Sequence, residues 1–274
     1  QEIASLIEQC VPLFSYIHSV IAKINFQNKR IAVDLSKPID ISIPLRAGSE
    51  TVNAWYVDEM RIEPVRTEHF LGSVEEGGHV NFRDISFNPH GNGTHTECVG
   101  HIDKQVHSIN ETLNRTFFFG ELITVEPEVW NHSGDWREIG DRIIQEEQLE
   151  NVLINNPEAL IIRTSPNSDD KCKLHYSNTN PPYLSHAAAE AIRNAGVKHL
   201  LIDLPSVDRE KDGGQMLAHK AFWNFPNNPI KDATITELIY VPNEIEDGSY
   251  FLELQIAPFV NDASPSKPTL YSLL

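Results

Sequence analysis

The chain has 274 residues, 40% hydrophobic and 22% charged, enough to build a sizeable core without a metal or disulfide for stability. Its 39 acidic residues against 22 basic ones give a net charge of −17, which disfavours nucleic acid and anionic membrane surfaces and favours a small-molecule substrate. Three widely spaced cysteines, Cys10, Cys98 and Cys172, form no disulfide framework and point to a reducing, cytoplasmic setting.

In chain order, "EIASLIEQCVPLFSYIHSVIAKI" carries apolar residues at helical spacing. It predicts an N-terminal helical extension over residues 1–30, packed on the body or on a partner subunit. From residue 31 onward short β-type runs alternate with turns, and "ISIPL", "HVNFRDISF", "GELITVEP", "ALIIRTS", "KHLLIDLPSVD", "TELIYVP" and "YFLELQIAPF" read as strands. "DWREIGDRIIQEEQL" predicts an amphipathic helix with Ile139, Ile143, Ile144 and Leu149 on one side. "SHAAAEAIRNAGV" predicts a second helix, capped by Ser185 and stopped by Gly196, that joins "ALIIRTS" to "LLIDLPSVD". "TSPNSDDKCKLHYSNTNPPY" reads as a long polar loop, a surface segment or a lid. No run reaches membrane length and no leader-like basic-then-apolar segment opens the chain. The expected class is α/β with a mixed sheet, in one domain over residues 31–274.

The chemistry concentrates in "HGNGTHTECVGH", from His90 to His101. In an extended segment alternate side chains share a face, so His95 and Glu97 point together, and His101 rejoins them if the chain stays extended. Cys98 faces away. His90 also faces away unless a bulge at Gly91–Asn92–Gly93 re-aims it. Imidazole with carboxylate suits Zn, Mn or Fe(II); surface histidines with hydrogen-bonding roles are the bland alternative.

"GTHTECVGH" resembles the H-x-G-T-H-x-D-x-P-x-H signature of the cyclase family of metal-dependent hydrolases, which includes kynurenine formamidase and isatin hydrolase. Further blocks are similar in the same order: "ISIPLRAGSETVNAW", "LLIDLPSVDRE", "AHKAFW" with "ATITELIYVP", and "DASPSKPTLY". The resemblance implies a swivelling β/β/α domain, a homodimer or homotetramer, and a divalent metal, Zn or Mn. It implies His95, Glu97, His219 and Glu237 as metal ligands, His101 as acid/base and Trp55 as a substrate contact. Ser206 and Asp208 would support or gate the site, or cap a turn.

Three departures qualify the match. Glu97 stands where the family has aspartate, and Val99 where it has proline. The signature's first histidine falls on Gly91, which has no ligand atom. That loss implies one ion rather than two, held by Glu97, His219 and Glu237 with His95 as a further ligand. The alternatives are that His90 swings in and restores the pair, or that no metal binds. The implied activity is hydrolysis of a small amide, formamide or cyclic amide, arylformamidase-like, with metal-activated water attacking the carbonyl and His101 moving protons. The competing class is a non-hydrolytic relative: a small-molecule binding protein, or a metal-dependent lyase or cyclase.

Overall fold

The structure, a computed structural model, describes residues 19–26, 29–133 and 136–274. Its centre is a nine-stranded mixed sheet in the order Ala263–Pro265, His95–Cys98, Thr234–Glu237, His199–Ile202, Ala159–Thr164, Phe117–Val125, Gly248–Glu253, Thr269–Ser272 and Ile39–Asp40. The four strands from Thr234–Glu237 to Phe117–Val125 run parallel, and the outer pairings are antiparallel. This is the α/β class expected from the sequence.

The apolar runs are continuous because the sheet is covered on both faces. Every residue of Ala159–Thr164 is buried. Leu160 and Ile162 join Leu200, Ile202 and Ile235 under the helices His186–Asn194 and Leu217–Trp223. Ala159 and Ile161 join Leu122, Leu201, Leu252 and Leu270 on the opposite face, where the sheet curls over itself.

The helix His186–Asn194 forms as expected. Ser185 Oγ accepts from the Ala188 amide, and Gly196 leaves the helix at φ +82°. The helix links two parallel strands, Ala159–Thr164 and His199–Ile202.

Two expectations are corrected. The segment around Ile143 is not an amphipathic helix: Arg142–Ile144 is a strand between Glu128–Val129 and Tyr183–Leu184, followed by a 3-10 turn and the short helix Glu150–Leu153. Gly140 adopts φ +96°, adjacent Ile143 and Ile144 are both fully buried, and Ile139 is 68% exposed. That pattern fits a covered strand and not a helix with one apolar stripe. The N-terminal helical reading fails for Ile21–Phe26, which pairs antiparallel with Lys29–Asp34 and alternates between exposed and half-buried. The earlier part of that extension, residues 1–18, lies outside the described residues. Among the described residues no helix is long and apolar enough to cross a membrane.

Candidate metal centre

The centre is built around the His95–Cys98 strand, held between Ala263–Pro265 and Thr234–Glu237. All four of its residues are buried. Alternation sorts them. His95 and Glu97 face one way, while Thr96 Oγ1 meets Thr236 Oγ1 at 2.8 Å and Cys98 Sγ points to the His107 carbonyl. Cys98 is therefore outside the cluster, as its parity requires.

His95 and Glu237 are direct cross-strand partners, with His95 Nε2 3.4 Å from Glu237 Oε2. His95 Nδ1 lies 3.1 Å from the Gly93 carbonyl. A carbonyl only accepts, so Nδ1 carries a proton and Nε2 is the nitrogen turned to the cluster. Glu237 Oε1 accepts from the Val207 amide at 3.0 Å, which holds the carboxylate at its strand end.

His219 arrives from the helix Leu217–Trp223. Asp208 accepts from the Ala218 amide at 2.6 Å, from the His219 amide at 3.2 Å and from His219 Nδ1 at 2.5 Å. One carboxylate thus caps the helix and orients its histidine. The other ring nitrogen, Nε2, meets Glu97 Oε1 at 2.9 Å and lies 3.8 Å from Glu237 Oε1. Ser206 Oγ accepts from the Asp208 amide at 3.0 Å and so shapes the turn that carries Asp208. His219 and Glu237, well apart in the sequence, are thus brought together in the cluster.

His101 reaches the cluster by a different route from the extended path expected. The chain tightens into a 3-10 turn at Val99–His101, which buries Val99 and brings the histidine back. His101 Nδ1 stands 3.4 Å from Asp262 Oδ2 and 3.7 Å from Glu97 Oε2.

His90 also enters the cluster, against the parity argument. That argument extends strand alternation back through residues that form a turn. The turn explains the aim: Asn88 Oδ1 accepts from the His90 amide at 2.9 Å, and Asn92 Oδ1 accepts from the Asn88 amide at 2.7 Å. His90 Nδ1 then lies 3.1 Å from Glu97 Oε2, and Nε2 lies 3.0 Å from Asp262 Oδ2. The signal was present in the sequence: Asn-Pro at positions 88–89 marks a turn, not a strand. Asp262, 161 residues from His101, is the residue that sequence reasoning missed.

Trp55 sits half-buried beside Ile43, Val52, Ala54, Tyr176 and Leu238, and its Nε1 donates to the Pro205 carbonyl at 3.3 Å. It braces the turn that carries Ser206 and Asp208. Asp203 lies apart from the centre, paired with Lys171 at 2.7 Å. That pair pins the polar loop after Thr164 to the sheet.

Burial opposes the charge on Glu97, but His101, His219 and His90 outweigh it and hold its carboxyl well below the usual range. Burial likewise opposes protonation of His219 and His90. Hydrogen bonds to Asp208 and Glu97 raise His219 well above an ordinary imidazole, and those to Asp262 and Glu97 raise His90 to about 10. Hydrogen bonds from His101 and His90 lower Asp262. The surrounding carboxylates favour positive charge on these imidazoles.

Two buried atoms in this field have no aligned hydrogen-bond partner: His95 Nε2 and Glu97 Oε2. An orphaned buried lone pair is costly unless a cation takes it. His90, His95 and Glu97 bring ligand atoms within 4.8 Å of one another, and so do Glu97, His101 and His219. Nitrogen and oxygen donors of this kind fit a divalent transition metal.

Residues 33–209 match the Cyclase family, described as putative cyclase. No curated protein matches the chain. Among solved structures the chain is similar to a potential metal-dependent hydrolase with cyclase activity, at 16% identity and a TM-score of 0.60, covering 86% of this chain and 97% of that one. It is similar to an isatin hydrolase bound to the product analogue thioisatinate, at 11% identity and a TM-score of 0.59, covering 86% and 92%. It also resembles isatin hydrolase A from Labrenzia aggregata, at 12% identity and a TM-score of 0.57, covering 86% and 93%.

Proposed function

The chain belongs to the Cyclase family, and from that premise we propose that it is a metal-dependent hydrolase of a small amide, formamide or cyclic amide. The observation that carries the reading is the pair of orphaned ligand atoms, His95 Nε2 and Glu97 Oε2, inside a buried cluster of imidazoles and carboxylates. His95, Glu97, His219 and Glu237 would hold the metal, Zn or Mn. When bound, such an ion polarises a carbonyl and acidifies water.

The chain's own groups have separable tasks. Glu97 and Glu237 offset the ion's charge. Asp208 keeps His219 Nδ1 protonated, so its Nε2 faces inward. His101 is 29% exposed, more than His95 or His219, and stands at the mouth of the centre. Its Nδ1 faces Asp262, which leaves Nε2 to move a proton between water and the leaving nitrogen. Arylformamidase-like activity would use all of these tasks, because the leaving nitrogen needs a proton as the bond to the carbonyl carbon breaks. His90 places an imidazole in the cluster beside Gly91, which supports the hydrolytic reading over a non-hydrolytic relative.

Turnover of N-formylkynurenine, isatin and simple formamides should require Zn or Mn and stop with chelator. A chain that binds neither ion, measured by elemental analysis, would defeat the reading. His101→Ala should lose turnover while retaining metal.

A further inference from the structure

The polar loop after Thr164 encloses a cavity of about 280 Å³, and none of the metal-centre residues lines it. The cavity lies at the carboxyl ends of two neighbouring parallel strands, Ala159–Thr164 and His199–Ile202, with Thr164 and Leu204 on its wall. Crevices in that position are where open α/β sheets bind ligands. Pro166, Leu174, Pro181 and Leu204 make much of the wall apolar. Lys171 also lines it, but its ammonium is satisfied within the chain, bound to Asp203 at 2.7 Å and to Thr164 Oγ1 at 2.9 Å.

Two polar groups on the lining are not satisfied in this way. Tyr176 is 6% exposed, yet its hydroxyl has no hydrogen-bond partner among the described residues. A hydroxyl left so in a buried residue is costly unless something else accepts or donates there. Burial pushes the phenol well up, Asp203 pushes it the same way and Arg142 opposes them, so the group stays protonated and can donate. Arg142 stands exposed at the opening. It donates to the Asn180 carbonyl at 3.3 Å, and no carboxylate pairs with it among the described residues. Asp170, the acidic group on the lining, is turned elsewhere: it accepts from Ser168 Oγ at 3.1 Å and pairs with Lys173 at 3.3 Å. The enclosure therefore offers an apolar wall, one unpaired guanidinium and one neutral donor.

We propose that this cavity binds a small carboxylic acid with an apolar body, at a site separate from the metal centre and independent of its chemistry. Arg142 pairs with the carboxylate through its guanidinium fork, the Tyr176 hydroxyl donates to the same group, and the prolines and leucines enclose the carbon skeleton.

Benzoate is the probe, with benzyl alcohol as its neutral counterpart. Calorimetric titration of the full chain should show one saturable equivalent of benzoate that survives removal of metal by chelator, and no binding of benzyl alcohol at the same concentrations. Arg142→Gln should weaken benzoate about tenfold or more, the effect of losing a hydrogen bond to a charged group, and Tyr176→Phe about 2- to 10-fold. Arg142→Lys should retain part of the affinity, because the charge stays while the fork is lost. Far-UV circular dichroism checks that each variant is folded; Arg142 is exposed and phenylalanine keeps the ring of Tyr176. Wild type without saturable binding would overturn the proposal, as would equal affinity in wild type and folded Arg142→Gln and Tyr176→Phe. Binding that disappears with the metal would also overturn it, by placing benzoate at the metal centre.

Discussion

Two buried charge clusters stand at the C-terminal ends of neighbouring parallel strands, the place where open α/β sheets put their ligands. One is complete. Lys171 Nζ donates to the Thr164 carbonyl, to Thr164 Oγ1 and to Asp203 Oδ2 at 2.7, 2.9 and 2.7 Å, and the Thr164 amide donates to Asp203 at 2.8 Å. The other, around Glu97, keeps two buried ligand atoms without aligned partners. The difference teaches how to tell a structural ion pair from a socket. The first balances its charges within the chain, so removing a member breaks the fold. The second leaves its carboxylates for a cation to satisfy, so removing a member should break function first.

Four measurements would break or sharpen that contrast. Glu97→Gln has the largest expected effect: turnover should fall about a thousandfold or more, at the top of what one preorganised group supplies. The melting temperature of the metal-free chain should fall less than that of Lys171→Met, because the glutamine carbonyl can still accept from His219 and His90, although both lose a counter-charge. A steep drop in melting temperature would place Glu97 with the structural pairs. Next, Lys171→Met should lower unfolding stability in urea by about 3–5 kcal/mol, the cost of stranding a buried partner. Metal bound per folded molecule should not change.

Asp208→Asn should weaken one metal site about 10- to 100-fold by loosening His219. Equilibrium dialysis reads this directly, and unchanged affinity would reduce Asp208 to a helix cap. The smallest effect is a control at the opposite end of the same strands. His199 is buried against Phe118, its Nδ1 is 2.9 Å from Thr234 Oγ1, and burial, aided by Arg115, lowers its pKa to about 3. Between that value and the unfolded imidazole's, near 6.5, the unfolded chain binds a proton that the folded chain refuses. Stability therefore rises with pH across this window and is fully present above it. The contribution is at most about 1.4 kcal/mol per pH unit. His199→Gln should flatten that part of the stability–pH curve without altering metal binding; an unchanged slope would mean His199 does not titrate this way.

Much of the fold is legible because burial on both faces writes itself as continuous apolar runs. Ala159–Thr164, His199–Ile202 and the core of Phe117–Val125 stand where such runs predict. The helix His186–Asn194 is legible from its cap and stop. The segment around Ile143 misleads because spacing alone cannot tell a short covered strand from a helix stripe. The Ile21–Phe26 strand misleads because the helical spacing of the apolar residues before it is carried on into it, although Ala22, Ile24 and Phe26 alternate on one side of a hairpin.

At the centre, His95 and Glu97 are legible from strand alternation, and the ordered blocks bring in His219 and Glu237. His90 is misjudged because the alternation is carried across Asn88-Pro89, which turns the chain instead. Asp262 is illegible locally. Its partners lie 161 and 172 residues away, and only the pairing of Ala263–Pro265 with the His95–Cys98 strand delivers it.

That pairing has a consequence for how a cation would enter and leave the centre. The His95–Cys98 strand is hydrogen-bonded on both edges and none of its residues is exposed. Its amide protons should be among the slowest in the molecule to exchange, released only when the whole sheet opens. Emptying and refilling the centre would then be a matter of side chains and the Asn88–Asn92 turn alone, with the backbone under His95 and Glu97 unmoved. An ion held there could leave while the mould stays.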